Sequence, residues 1–237
     1  MISREQDRLQ AISENLANCN APGFKKLDVG QLDFDTLLHQ SIDEYNELIE
    51  RGTYDPISID FSNGPIKLTE RSLDFAIDGE GFFAVKHDKK EVYTRNGHFK
   101  VAPNGLLQNM DGMPVQGSNG NITIPAETNI TKIITGSDGT IRDQNNNLLG
   151  TLKIVGFEDV SKLGRLGTTL YGTTEDRPAR ILNPGDYQIV PKSLEGSNTS
   201  IYNEMAEMIS TMRSYETNQR ILKAHDENQG RMIVALG

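Results

Sequence analysis

The feature that most constrains this chain is an apolar helical seam at each end with none between. Ile2, Leu9 and Leu16 recur at every seventh position, and Glu5, Ile12 and Cys19 interleave with them. The second series is apolar only from Ile12 onward. Together they predict a helix over Ile2–Cys19 whose heptad stripe is weak in its first turn. Asn20-Ala21-Pro22-Gly23 stops it, because Pro22 cannot continue a helix and Gly23 suits a turn. At the far end, Thr199 or Ser200 serves as the cap of a second, longer helix running to Leu236. Ile201, Met205, Met208, Met212, Tyr215, Gln219 and Leu222 follow at alternating spacings of four and three, which is a coiled-coil stripe.

The middle has a different texture. From Leu73 to Val190, short alternating runs are separated by turn residues. The runs include Asp74–Ile77, Phe82–Val85, Glu91–Thr94, Ile122–Ile124 and Leu152–Val155. Asp78-Gly79, Asn96-Gly97, Asn104-Gly105, Asp111-Gly112 and Asp138-Gly139 punctuate them. This predicts an all-β region of many short strands. Residues 27–70 fit neither texture and read as an extended, acidic connector with one short helix near Leu37–Ile49.

The expected fold is therefore α+β. Residues 1–26 and 198–237 form a discontinuous α-helical coiled-coil domain, 27–70 the connector, and 71–197 the β-rich domain. Each terminal helix has a narrow apolar stripe and is marginal alone in water. The two can cover each other only in part, so further copies must cover the rest.

Composition narrows the function. Net charge is −9 and the pI is about 5.0, which disfavours nucleic acid and anionic lipid as partners. A single cysteine, Cys19, rules out an intrachain disulfide. The longest apolar run, Met232–Leu236, falls far short of the ~20 residues a membrane span takes. The start, Met1-Ile2-Ser3-Arg4-Glu5-Gln6-Asp7, lacks the apolar stretch of a secretory signal.

No residue constellation calls for catalysis or a cofactor. His39, His87, His98 and His225 have no ligand spacing. Asp143-Gln144-Asn145-Asn146-Asn147 opens like a calcium loop, but Leu148 and Ile154 stand where glycine and glutamate are required, so it reads as a hairpin turn. Asp78-Gly79-Glu80-Gly81 lacks the Gly-Lys-Ser/Thr ending of a phosphate loop. Asn15, Asn18 and Asn20 read as structural residues at a helix end. Met205, Met208 and Met212 read as adaptable packing rather than a thioether site.

Three stretches resemble signatures of the bacterial flagellar rod and hook proteins. Ala11-Ile12-Ser13-Glu14-Asn15-Leu16-Ala17-Asn18-Cys19-Asn20-Ala21-Pro22-Gly23-Phe24-Lys25 is similar to their NNLAN-x-NTxGFK element. Leu73-Asp74-Phe75-Ala76-Ile77-Asp78-Gly79-Glu80-Gly81-Phe82-Phe83 and Tyr93-Thr94-Arg95-Asn96-Gly97-His98-Phe99 resemble LDxAIxGxGFF and YTRxGxF. Leu194-Glu195-Gly196-Ser197-Asn198, with Glu204-Met205-Ala206-Glu207-Met208-Ile209, Tyr215-Glu216 and Asn218, resembles the C-terminal element. The matches fall at the start, middle and end. Members of that family usually begin earlier, so the first turns of the first helix are expected to be missing. Glu14 and Ala21 replace the usual Asn and Thr.

The resemblance implies a non-enzymatic structural subunit of the basal-body rod, exported through the flagellum's own channel. It would polymerise helically through its terminal helices and transmit torque. The implied partners are other copies, neighbouring rod and hook proteins and the export apparatus, with no cofactor, nucleic acid or small-molecule substrate. The length and Leu194–Asn198 favour a rod subunit over the longer hook protein, and Ala224–Arg231 favours the proximal-rod member. The assembly interface is expected at Leu9, Ile12, Leu16, Asn18, Ile201, Met205, Met208, Met212, Tyr215 and Leu222. The rival readings are a distal-rod or hook subunit, a monomeric β-rich binding module on a helical stalk, and an enzyme.

Overall fold

Heptad periodicity at the ends and turn chemistry in the middle produce two compact units. The computed structural model describes residues 2–29, 57–88, 90–173 and 179–236. One unit comprises Met1–Ala17, Lys26–Asp60 and Thr199–Gly237; the other comprises Asn18–Lys25 and Phe61–Asn198. The short helix expected at Leu37–Ile49 lies outside the described residues.

In the first unit, α1 (Ile2–Ala17) leads to an antiparallel ribbon of β1 (Leu27–Val29) and β2 (Ile57–Ile59), with Leu27 opposite Ile59 and Val29 opposite Ile57. The chain closes with α2 (Ile201–Leu236), whose first hydrogen bond runs from the Glu204 amide to the Ser200 carbonyl at 2.9 Å. α1 buries Ala11, Ile12 and Asn15, neighbours on one helical face.

The expected coiled coil does not form. The described residues contain nineteen strands, two α-helices and two short 3-10 helices, so the fold is mainly β with an α-helix at each end. In a coiled coil the apolar seams of both helices interlock. Here α2 turns Glu204 and Thr211 inward and leaves Met205 and Met212 half exposed, at 49% and 47%. At 100° per residue the inward face lies roughly a quarter turn from the apolar stripe. Periodicity located the stripe, but it carries no information about which neighbour covers it.

The second unit begins with β3 (Ile66–Leu68), β4 (Phe75–Gly79), β5 (Phe82–His87), β6 (Lys90–Thr94), β7 (Phe99–Val101), β8 (Leu107–Asn109), β9 (Gln116–Gly117) and β10 (Gly120–Asn121). It continues with β11 (Ile134–Thr135), β12 (Thr140–Arg142), β13 (Leu148–Thr151), β14 (Ile154–Gly156), β15 (Leu163–Arg165), β16 (Leu170–Thr173), β17 (Arg180–Ile181), β18 (Tyr187–Pro191) and β19 (Ser193–Glu195). A six-stranded antiparallel sheet runs β15-β16-β6-β5-β14-β17, beside a three-stranded sheet β11-β12-β13. Paired ribbons join distant segments: β4 with β18, and β3 with β19.

Strand β5 sits between β6 and β14, so Phe82, Phe83, Ala84 and Val85 are all buried rather than alternating. The run Ile122–Ile124 forms no regular strand. It contributes the buried Ile122 and Ile124 and a single bridge from Thr123 to Leu106. Asp143–Asn147 is the turn between β12 and β13. The Asp143 carboxylate accepts the amides of Asn145 and Asn147 at 2.8 Å each, and Asn146 takes φ +66°.

Candidate assembly surface

The helical unit is held by polar contacts. Asn15 works as a substitute backbone: its Oδ1 accepts the Leu27 amide and its Nδ2 donates to the Leu27 carbonyl, both at 2.8 Å. The same Nδ2 lies 3.1 Å from Glu204 Oε2, which ties α1 to α2. Arg8 forks onto Glu207 Oε1 at 2.7 and 3.1 Å, and Lys26 Nζ lies 3.1 Å from Glu204 Oε1. Burial works against the Lys26 ammonium, but the hydrogen bond and charge of Glu204 outweigh it, with help from Glu207 and Asp28. Its pKa is raised above the ordinary 10.5.

With Glu204 and Glu207 facing α1, the apolar stripe of α2 points to solvent. Ile201, Met205, Ile209 and Met212 follow one another along it, all exposed. Beside them Tyr202 is 86% exposed. An apolar helical stripe exposed to water is a candidate contact surface.

The β unit carries a second constellation. Lys25 Nζ lies 2.7 Å from Glu195 Oε1 and 2.6 Å from the Ser62 carbonyl. Arg95 Nη1 lies 3.2 Å from Glu195 Oε2, and its Nη2 donates to the Gly79 carbonyl at 2.9 Å. The Gly64 amide donates to Glu195 Oε1 at 2.9 Å, and the Gly23 amide to the Glu195 carbonyl at 2.8 Å. Lys25 and Glu195 are 1% exposed and Arg95 4%. Burial pulls the Arg95 pKa down, and the Glu195 charge offsets part of that. Gly23, at φ +70°, packs so closely that a Cβ would lie 2.3 Å from the Asn96 amide nitrogen.

Comparison with known proteins fits these segments. Residues 76–142 match the family model described as the flagellar hook protein FlgE/F/G D1 domain, and residues 190–234 match the C-terminal model of the flagellar basal body rod FlgEFG proteins. The flagellar basal-body rod protein FlgF of Salmonella typhimurium is 33% identical over 237 residues, covering 94% of this chain and 90% of that protein. FlgG of Buchnera aphidicola (subsp. Acyrthosiphon pisum) is 30% identical over 251 residues, covering 95% and 93%. The chain belongs to the flagellar rod and hook protein family. FlgG of Bacillus subtilis, 30% identical over 94% of this chain, sits at the same level as the FlgF relatives, so the similarity does not separate the two rod proteins.

Within this rod and hook family member, the structure divides the seam residues. Ile12 is buried, and Leu9, Leu16, Asn18, Met208 and Tyr215 are half-buried. Ile201, Met205 and Met212 are exposed, and the side chain of Leu222 on α2 lies outside the described residues. Sequence reasoning passed over Lys25, Arg95, Glu195, Glu204 and Ile209. All five stood inside the stretches that resemble the family signatures, and that was the available signal. A cleft of about 490 Å³ near Arg95 is lined by Phe61, Phe82, Phe157, Glu80 and Glu158 and holds no histidine or cysteine. Among the described residues no group of His, Cys, Asp or Glu is placed to hold a metal, and no helix is long and apolar enough to cross a membrane.

Proposed function

We propose that this protein is a structural subunit of the flagellar basal-body rod, polymerising helically through its terminal helices to carry torque toward the hook. The observation that carries this reading is the bare apolar stripe of α2 in a chain whose relatives are rod proteins. Ile201, Met205 and Met212 make the contacts with neighbouring subunits, and Met208, Tyr215 and Leu222 extend them. Leu9, Leu16 and Asn18 contribute from the N-terminal side, while Ile12 supports α1 from within. Each contact is weak alone. Repeated along a helical polymer, they act in parallel and resist twisting.

The partners are other copies of this chain and the adjoining rod and hook proteins. The subunit reaches its place through the flagellum's own export apparatus and stands in the periplasmic part of the rod. The relatives are structural proteins, and no catalytic role is assigned.

The test is Met205→Asp with Met212→Asp in the full chain, and Met208→Asp separately. Met205 and Met212 are exposed, so the double variant should fold, fail to enter rods and abolish motility, and the change at half-buried Met208 should also abolish motility. Normal motility of the double variant would sink the assignment of this stripe to assembly. A companion measurement compares the full chain with residues 18–198, which retain every segment of the β unit. Only the full chain should form polymers.

A further inference from the structure

Four Asn-Gly pairs occur in the chain: Asn63-Gly64, Asn96-Gly97, Asn104-Gly105 and Asn119-Gly120. An asparagine before glycine is open to attack on its own side chain. Glycine has no Cβ to hinder its amide nitrogen as that nitrogen swings onto the preceding side-chain carbonyl. As dipeptides the pairs are equivalent, but the β unit treats them differently.

The first pair is held through its glycine. Asn63 is exposed, but the Gly64 amide is buried and donates to Glu195 Oε1 at 2.9 Å, and a Cβ on Gly64 would collide with the Gly196 carbonyl. The next is held on both sides. Asn96 Oδ1 accepts the His98 amide and the Asn96 amide donates to Thr94 Oγ1, both at 3.0 Å, while a Cβ on Gly97 would collide with the Phe75 carbonyl. Asn104 Oδ1 accepts the Leu106 amide at 3.2 Å, and the Gly105 amide donates to the Ala102 carbonyl at 2.9 Å. Asn119 differs on each count. Ser118, Asn119 and Gly120 are all exposed, and the Asn119 side chain makes no hydrogen bond among the described residues. A Cβ on Gly120 would meet nothing within 4 Å. The pair stands on the turn between β9 and β10, a ribbon that is only two residue pairs long, Gly117 opposite Gly120 and Gln116 opposite Asn121. So short a ribbon opens at little cost.

We propose that Asn119 is a site of spontaneous deamidation, selected by the fold from among the Asn-Gly pairs. The Gly120 amide nitrogen gives its proton to water and bonds to Asn119 Cγ. The Cγ–Nδ2 bond breaks, and the nitrogen leaves as ammonia. The product is a cyclic succinimide, which water opens. Opening at Cγ gives aspartate; opening at the main-chain carbonyl gives isoaspartate, with the backbone rerouted through the side chain. Either product adds a negative charge. Isoaspartate also lengthens the connection that sets the register of β9 against β10, so the Gln116 Nε2 to Asn121 Oδ1 bond, 2.8 Å across the ribbon, loses its alignment.

The test follows all the Asn-Gly peptides by mass spectrometry after the full-length protein is held at mildly alkaline pH, once folded and once in urea. In the folded protein the Asn119 peptide should deamidate faster than each of the others by on the order of tenfold, yielding isoaspartate beside aspartate. In urea the rates should converge, because the bonds and packing that protect Asn63, Asn96 and Asn104 are gone. Faster reaction at another pair in the folded protein overturns the proposal. So does an Asn119 peptide that stays intact when folded, or a lead for Asn119 that persists undiminished in urea, since the local sequence and not the fold would then select it.

Discussion

In the β unit, Phe75, Phe83, Phe99, Leu107 and Ile141 are fully sealed from water. In the helical unit the apolar stripe of α2 faces water, and the interior contacts are carried by Asn15, Glu204, Arg8 and Glu207. The β unit closes an extensive apolar core, although single apolar side chains such as Leu68, Ile134 and Leu166 stay exposed on it. The helical unit places polar groups inside and leaves Ile201, Met205, Ile209 and Met212 exposed along one helix face. Ile77 and Ile189 facing each other across β4 and β18, or Phe83 edge-on to Phe99 at 5.3 Å, belong to a finished core. Met205 and Ile209 belong to an exposed face.

The contrast breaks most visibly if the β core is opened. Phe83→Ala removes a fully buried ring that packs on Phe99. The expected loss is about 3–5 kcal/mol, read as a fall in the urea midpoint of the β unit. A loss below about 1 kcal/mol, near the range of a surface substitution, would mean that this core is no better packed than the helical unit.

High pH should affect the β unit next. Burial pushes the Tyr171 phenol far up, and burial also raises Tyr93 and Tyr187, with nearby carboxylates of Glu91 and Asp138 adding to the shift. The folded state thus holds these phenols neutral, while the unfolded chain ionises near the ordinary 10.0. Stability is fully present below pH 10.0 and falls as pH climbs beyond it. In the helical unit the raised Lys26 pKa keeps its bond to Glu204 fully effective below 10.5, and the contribution disappears as pH rises through the higher folded value. Alkaline unfolding followed by circular dichroism should be less steep in Tyr171→Phe. An unchanged slope would show that the buried phenols do not set the alkaline limit.

The two units were also unequally legible. Turn residues with a fixed backbone demand, such as Gly105 at φ +82° and Gly139 at φ +83°, mark where strands end whatever the tertiary context. The central strands could be read from them. Ile122–Ile124 was overread, because a buried apolar run looks like a strand even when it only bridges. Both terminal helices were legible from their period, but the partner of each stripe was not. Glu204 and Thr211 look like solvent positions until Asn15 and Lys26 are placed beside Glu204. The Lys25–Arg95–Glu195 cluster was invisible for another reason: no local pattern records a contact across 170 residues.

Asn15 tests whether polar order truly holds the helical unit. Asn15→Ala removes both bonds to the Leu27 backbone and a contact to Glu204 in a site that is 1% exposed. Leaving the Leu27 amide and carbonyl unpaired should cost about 2 kcal/mol. Faster exchange of the Leu27 amide would report it directly, with the β unit's urea midpoint unmoved. Protection at Leu27 as in the unaltered chain would mean that apolar contacts such as Ile12 hold this unit after all.

The smallest expected effect on stability belongs to the residues given the largest role in assembly. Met205 and Met212 are half exposed, so Met205→Ser with Met212→Ser should shift stability by no more than about 0.5 kcal/mol. A stripe that served the monomer's own packing would cost several times that when truncated twice. A stripe kept for neighbours should leave the melting curve in place and still remove the chain from polymers, because the apolar area lost there is lost at every repeat of the contact. Sedimentation of the double variant beside its thermal melt measures both quantities on one sample. A lowered melt with normal polymerisation would reverse the assignment of the two units, making α2 part of a closed interior and leaving the assembly surface to be sought elsewhere on the chain.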